Sequence, residues 1–221
     1  MNLERTPEPE LMDSVDQVQA YADADFAESN QGFVDRFVET FQPWPSAGRL
    51  VDLGCGPGDI CMRLADALPG WSIDGVDAGP NMLRAAERLR NIRSIGDRVR
   101  FRLARLPDPD LSAGAYQAVV SNSLLHHLPD PAILWTAIAQ VGAAGARVQV
   151  MDLERPPSDA DARELVQTYA ANEPEALRTD FLNSLHAAWT LDEVVEQLAA
   201  AELPLRAERV SDRHWLVSGT L

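Results

Sequence analysis

The stretch Arg49-Leu50-Val51-Asp52-Leu53 runs directly into Gly54-Cys55-Gly56-Pro57-Gly58, and the residues from Asp59 to Leu68 then place Ile60, Leu64 and Leu68 on one helical face. A short apolar strand, a glycine turn and an amphipathic helix in immediate succession constrain the fold more than any other feature. A strand that passes into a helix returns to its sheet by a parallel crossover rather than a tight hairpin. Gly54 and Gly56 let the chain turn without a Cβ obstructing a ligand, and the helix that follows begins with backbone N–H groups that have no partner inside it.

The pattern repeats. Trp71 to Asp77 reads as a second strand, followed by a helix from about Pro80 to Arg90. Arg100 to Leu103 and Tyr116 to Ser121 are strands three and four, Ala132 to Val141 is helical, and Ala146 to Met151 is a fifth strand. Alternation of this kind predicts a parallel sheet covered by helices on both faces. Asp159 to Ala171 and Pro174 to Leu185 are helical, and Thr190 with Glu193 forms a capping box for a helix reaching Ala200. Leu205 to Val210 and His214 to Ser218 are separated only by Ser211-Asp212-Arg213, which is hairpin length. The predicted architecture is α/β: a Rossmann-like, doubly wound, seven-stranded, mostly parallel sheet with a C-terminal antiparallel hairpin and N-terminal helices.

A chain of 221 residues supports one full-sized core. The Pro- and Glu-rich residues 1–13 are expected to be a disordered tail and 14–221 a single domain. Within it, 14–45 form a helical lid that stops at Pro43-Trp44-Pro45, and 153–189 form a helical insertion.

The formal net charge is -15, and all 19 basic residues are arginine. This argues against bulk nucleic acid as a partner, because phosphate backbones need concentrated positive charge. A nucleotide cofactor remains compatible, held by helix amides and an acidic ribose acceptor. Residues 1–48 hold ten acids and two arginines, either a solubilising surface or an electrostatic screen. The opening MNLERTPEPE lacks the basic and apolar regions of a signal peptide, and no stretch approaches the roughly 20 apolar residues of a membrane span. A cytoplasmic protein with no membrane partner, monomeric or homodimeric, is expected. Cys55 and Cys61 make a poor disulfide framework and no zinc set, so no metal site is expected. The absence of a Gly-Lys-Ser/Thr turn argues against an ATPase, and Asp59 stands where a dinucleotide fingerprint calls for Gly or Ala. Asp77, at the end of the second strand, suits the two hydroxyls of a ribose, or serves as a helix N-terminal carboxylate near Asn81.

Taken in order, VDLGCGPGD, GVDAGPNML, SNSLLHHLPDP and VQVMDLERP resemble the motifs of class I S-adenosylmethionine-dependent methyltransferases, over roughly residues 15 to 220. The resemblance implies methyl transfer from S-adenosylmethionine, with S-adenosylhomocysteine as product, to a small-molecule acceptor. A noncatalytic cofactor-binding or regulatory protein, and a methyltransferase of protein or nucleic acid, are the alternatives. It further implies that Asp52, Gly54 and Gly56 border the methionine part and that Asp77 holds the ribose hydroxyls. Ala78 and Met82 would lie beside ribose or adenine, and Leu103 and Ala104 would approach the adenine. Ser121 or Asn122 would lie under the cofactor, and Tyr21 would close over its methionine end. Two segments depart from the family pattern: Arg102-Leu103-Ala104-Arg105-Leu106-Pro107 replaces a Gly-Asp-Ala type segment, and Gln140 to Gly145 lacks the usual cations and proline.

His127 and His126 are the general-base candidates, because their loop follows the fourth strand; the competing role is to cap that loop or pack against Trp135. Asp152 orients a histidine or caps a turn. Tyr21, Phe26, Tyr169 and Asn183 are candidates for an acceptor wall, with core packing as the competing role for Phe26 and Tyr169. Arg155, Arg163 and Arg178 either contact an acidic acceptor or act as solvated counterions. His186 either enters the pocket or is structural.

Overall fold

The computed structural model describes residues 3–8, 13–14, 18, 26–93 and 95–221. Strands β1 (Gly48–Leu53), β2 (Trp71–Asp77), β3 (Val99–Leu103), β4 (Tyr116–Asn122), β5 (Gly142–Leu153), β6 (Leu205–Arg209) and β7 (His214–Thr220) form a sheet in the order β3-β2-β1-β4-β5-β7-β6. The first five run parallel and β6 and β7 pair as an antiparallel hairpin, as the sequence pattern predicts; within it β7 is the strand that joins β5, also antiparallel. The described helices are α1 (Ala27–Thr40), α2 (Asp59–Ala67), α3 (Pro80–Arg93), α4 (Ala132–Val141), α5 (Asp159–Tyr169), α6 (Glu175–Ala187) and α7 (Leu191–Ala200).

Side-chain alternation along the strands builds a core on each face of the sheet. On one face Val51, Leu53, Val119 and Val148 pack with Leu134 and Ile138 of α4 and Val194 of α7. On the other, Leu50, Ala118 and Val120 pack with Phe33 and Phe37 of α1, Ile60 and Leu64 of α2 and Leu83 of α3. Helices α5 and α6 fall within residues 153–189 and share a smaller core in which Leu153, Ala162, Val166 and Leu185 meet. Among the described residues, no helix is long and apolar enough to cross a membrane.

Because β1 has β2 on one side and β4 on the other, successive crossovers leave the sheet centre in opposite directions. The helices diverge there, and a crevice opens beyond the carboxyl ends of β1 and β4, the place where open α/β sheets bind ligands. β5 begins at Gly142, earlier than the expected Ala146, because its pairing with β4 shifts register between Gly142 and Arg147. Gly145 accommodates the irregularity with a φ of 75°.

Residues 3–8, which composition places in the disordered tail, run across the end of the sheet. The Leu3 N–H donates to the Pro157 carbonyl at 2.8 Å and the Thr6 N–H to that of His186 at 3.0 Å. Arg5 Nε donates to the Ala187 carbonyl at 2.6 Å, and its guanidinium lies 4.0 Å from the Trp189 ring centre. Each of these partners comes from the opposite end of the chain, so nothing in the local composition announces them.

Trp71 joins α1 and the loop after it to the sheet. It is 1% exposed, donates from Nε1 to the Pro45 carbonyl at 3.0 Å, and meets the Trp44 ring edge-on at 5.1 Å. Trp71→Ala is expected to lower folding stability by about 3–5 kcal/mol, read as a lower urea midpoint with an unchanged slope.

Candidate functional site

A cavity of about 900 Å³ lies beyond the carboxyl ends of β1, β2, β4 and β5. Its floor is the turn after β1. The N–H groups of Gly54 and Cys55 both donate to the Val76 carbonyl, at 2.8 and 3.0 Å, which pins the turn to β2. Gly54 and Gly56 have φ of 77° and 50°. A Cβ on Gly54 would meet Leu124 at 2.9 Å, whereas one on Gly56 would meet nothing within 4 Å. Gly54 is therefore needed for close packing, and the Gly56 backbone faces open space in the cavity.

Asp77 anchors the other side of the turn. One carboxylate oxygen accepts from the Gly56 N–H at 2.8 Å and the other from the Gly79 N–H at 2.7 Å. Burial raises its pKa, only partly opposed by these two amides. Two such bonds leave lone pairs on both oxygens for further donors. The start of α3 is served by Asp13 instead, whose Oδ1 accepts from the N–H groups of Asn81 and Met82 at 2.8 and 3.1 Å. Asp52 is 1% exposed and accepts from the Cys61 thiol at 3.2 Å. Burial pushes its carboxyl up to about 7, and burial likewise pushes the Cys55 thiol to about 11.

Ala78, Met82, Ala104 and Asn122 line the cavity. Asn122 Oδ1 is buried without a hydrogen-bond partner, while its Nδ2 reaches Ser123 Oγ at 3.3 Å. Two expected site residues do not line the cavity. Leu103 ends the edge strand β3 with 58% of its surface exposed, and the next residue, Ala104, takes the position on the wall. Ser121 is fully buried and donates to the Leu53 carbonyl at 2.8 Å, which ties β4 to β1 beneath the cavity. Tyr21 lies outside the described residues.

His126 and His127 follow β4 and reach the cavity from its far side. His126 Nδ1 is 2.5 Å from Asp152 Oδ1, and the His126 N–H donates to Asp152 Oδ2 at 3.1 Å. Burial alone would lower the His126 pKa, but the adjacent Asp152 carboxylate outweighs it and holds the imidazole above its ordinary value. Glu8, on the N-terminal segment, places Oε1 3.4 Å from His126 Nε2 and 3.0 Å from His127 Nδ1. Glu8 stands far from both histidines in the sequence, in a stretch with no periodicity, so no pattern connects it to them.

Phe26 and Tyr169 line the cavity with Leu177 and Phe181; Asn183 is absent from its lining. Arg155 is committed to the Leu3 and Ala188 carbonyls and to Glu193, and Arg163 to Asp159. His186 Nε2 is 3.1 Å from Asp159. The sequence reading missed Arg213 and His214. Leu153 at the end of β5 pairs with His214 at the start of β7, so the turn between β6 and β7 is carried to the cavity mouth. There Arg213 stacks 3.4 Å over the Tyr169 ring. That register was the signal available: an antiparallel strand beside β5 must start where β5 ends.

Residues 51–148 match the family model described as a methyltransferase domain. Over 115 residues the chain is 30% identical to the ubiquinone biosynthesis O-methyltransferase of Xanthomonas axonopodis pv. citri, covering 52% of this chain and 46% of that protein. Over 123 residues it is 35% identical to the trans-aconitate 2-methyltransferase of Mycobacterium tuberculosis, covering 55% and 44% respectively. The matches thus span less than half the length of these relatives. Among solved structures, an S-adenosylmethionine-dependent methyltransferase from Aquifex aeolicus superimposes with a TM-score of 0.68 at 14% identity, covering 93% of this chain and 97% of that one. The plantazolicin methyltransferase BpumL superimposes with a TM-score of 0.67 at 15% identity, covering 93% and 92%. These two superpositions establish the shared fold.

The raised carboxyl of Asp52 carries a pH signature. Between the unfolded value of 3.8 and the folded value of about 7 the native state binds the extra proton, so this group's contribution to stability falls as pH rises through that window. Asp52→Asn removes the titration. Thermal melts at pH 4, 5, 6 and 7 (roughly the window set by this linkage) are expected to show the variant gaining steadily on the parent; a pH-independent difference would contradict the assignment.

Proposed function

We propose that this chain is a class I S-adenosylmethionine-dependent methyltransferase, which binds S-adenosylmethionine in the cavity beyond β1 and β4 and transfers its methyl group to a small molecule. The observation that carries this reading is the joint geometry of Gly56 and Asp77: a backbone facing open space beside a carboxylate whose two oxygens keep free lone pairs. The residues fit the cofactor. Asp77 suits the ribose hydroxyls, Ala78, Met82 and Ala104 give the adenine an apolar wall, and the unpartnered Asn122 Oδ1 offers an acceptor beneath the sulfonium end.

When bound, S-adenosylmethionine supplies an electrophilic methyl group on a sulfonium. The chain's own task is chiefly to bring the acceptor into line and exclude water, since proximity and orientation carry much of such a transfer. Phe26, Tyr169, Leu177 and Phe181 provide apolar surface for an acceptor, and Arg213 adds a cation at the mouth. This lining suits a molecule of mixed polarity. His127 and His126, held against Glu8 and Asp152, are positioned to receive a proton from an acceptor that must lose one. The names of the two relatives above, each a methyltransferase of a small molecule or of its biosynthesis, support the same acceptor class.

Transfer of labelled methyl from S-adenosylmethionine into a cell extract tests the reading. Label in the small-molecule fraction is expected; label confined to protease- or nuclease-sensitive material would move the acceptor to a macromolecule, and no transfer would favour a noncatalytic binder. Asp77→Ala is expected to weaken cofactor binding about 10- to 150-fold, the loss of a charge-assisted hydrogen-bond pair, measured by calorimetry on the folded variant.

A further inference from the structure

The cluster Glu8, His126 and His127 brings three ligand-type atoms to one place: a carboxylate oxygen and two imidazole nitrogens, all within 4.8 Å of one another. We propose that Glu8 Oε1, His126 Nε2 and His127 Nδ1 form a site for a divalent transition-metal ion of the zinc class, which clasps the N-terminal segment to the loop after β4. The inference rests on the placement of the cavity but not on methyl transfer, and its test is read without S-adenosylmethionine.

Geometry points first to a shared ion. Zinc bonds to nitrogen and oxygen of roughly 2.0–2.2 Å at tetrahedral angles put neighbouring ligand atoms about 3.3 Å apart. Glu8 Oε1 lies 3.4 Å from His126 Nε2 and 3.0 Å from His127 Nδ1, which brackets that edge length.

Asp152 accepts at both oxygens from His126 and Leu153, and its Oδ1 sits 2.5 Å from His126 Nδ1. Nδ1 of His126 faces that carboxylate, which leaves Nε2, 3.4 Å from Glu8, as the atom that would bind the ion in exchange for any proton it carries. This carboxylate–histidine pairing is the outer-shell arrangement that orients metal-binding imidazoles. The His127 Nδ1 atom is buried and lacks a hydrogen bond of good geometry, although it too faces Glu8.

The imidazole rings lie 4.1 Å apart, and His126 Nε2 and His127 Nδ1 both lie within 3.4 Å of the same Glu8 oxygen. One divalent ion takes both lone pairs and the carboxylate together. The neighbouring Arg5 guanidinium is occupied by the carbonyls of Ala187, His126 and Leu128. Glu8 and Asp152 exceed it by one negative charge, which suits a divalent cation. Three protein ligands of His2Glu type leave a fourth coordination position, and Glu8's neighbours His126, His127 and Ser184 all line the cavity. With the ion bound, the imidazoles are ligands rather than free bases, and an oxygen in the fourth position is made more acidic by the ion.

The test uses the full chain freed of any polyhistidine tag, loaded with zinc, dialysed, and assayed for metal by mass spectrometry. Cobalt substitution gives an independent visible spectrum that distinguishes tetrahedral coordination. One zinc per chain is expected for the parent and for His186→Ala, whose histidine lies outside the cluster, with intense tetrahedral cobalt bands in both. Glu8→Ala and His127→Ala are expected to lose the ion, and Glu8→Gln, which keeps the side-chain shape, is expected to lose it while folding normally by circular dichroism. Asp152→Asn, a change to a positioning residue, is expected to weaken zinc affinity about 10- to 100-fold without changing the cobalt geometry. A parent that retains no zinc, or Glu8 and His127 variants that retain as much as the parent, would overturn the proposal.

Discussion

The carboxylate of Asp77 holds two backbone segments that would otherwise be independent. By accepting from Gly56 in the turn after β1 and from Gly79 before α3, it locks the ends of β1 and β2 into one rigid lip. Both bonds are charge-assisted, and both amides belong to glycines where the chain turns, so the carboxylate replaces the regular ladder at the point where strands end. The Val76 carbonyl reinforces the same junction by accepting from Gly54 and Cys55. These contacts fix one wall of the cavity, across from the loops after β4 and β5.

A second constraint acts across the cavity. Asp152, at the end of β5, is buried and held ionised below its usual range because the His126 charge and hydrogen bond outweigh the cost of burial. A buried carboxylate so paired fixes the loop after β4 in place, and breaking the pair would leave an uncompensated charge. The N-terminal segment then docks on this loop through Arg5 and Glu8. Acidic composition, which at first sight serves only solubility, here contributes one carboxylate to the interior of the site.

How much of this was legible in the sequence follows the range of the interactions. The β1 turn and the placement of Asp77 are local: strand, glycines and helix occupy residues 49–68, Asp77 ends the strand that follows, and periodicity distinguishes these elements. The parallel run of the first five strands and the closing hairpin follow from the connection lengths, whereas the order β3-β2-β1-β4-β5-β7-β6 is visible only in the structure. Leu103 and Ala104 differ by one position, and only the register of an edge strand decides which faces the cavity. Ser121 and Asn122 end the central strand β4, where one side chain ties back to β1 and the next reaches the cavity. Asp13, Glu8 and Arg5 were illegible because their partners lie far along the chain, and a Pro- and Glu-rich stretch has no period from which docking can be read. Arg213 and His214 sat in a recognised hairpin, but their proximity to the cavity depends on the pairing of β7 with the end of β5.

The central claim is that the lip formed by Gly56 and Asp77 is a nucleoside-cofactor site. Titration calorimetry of S-adenosylmethionine and S-adenosylhomocysteine into the purified, folded chain addresses it most directly. The account predicts one site per chain with micromolar affinity for at least one of the two, a binding free energy of about -8 kcal/mol. Absence of binding by both ligands at several hundred micromolar, on the order of a thousandth of a molar and a free energy of about -4 kcal/mol, would contradict it.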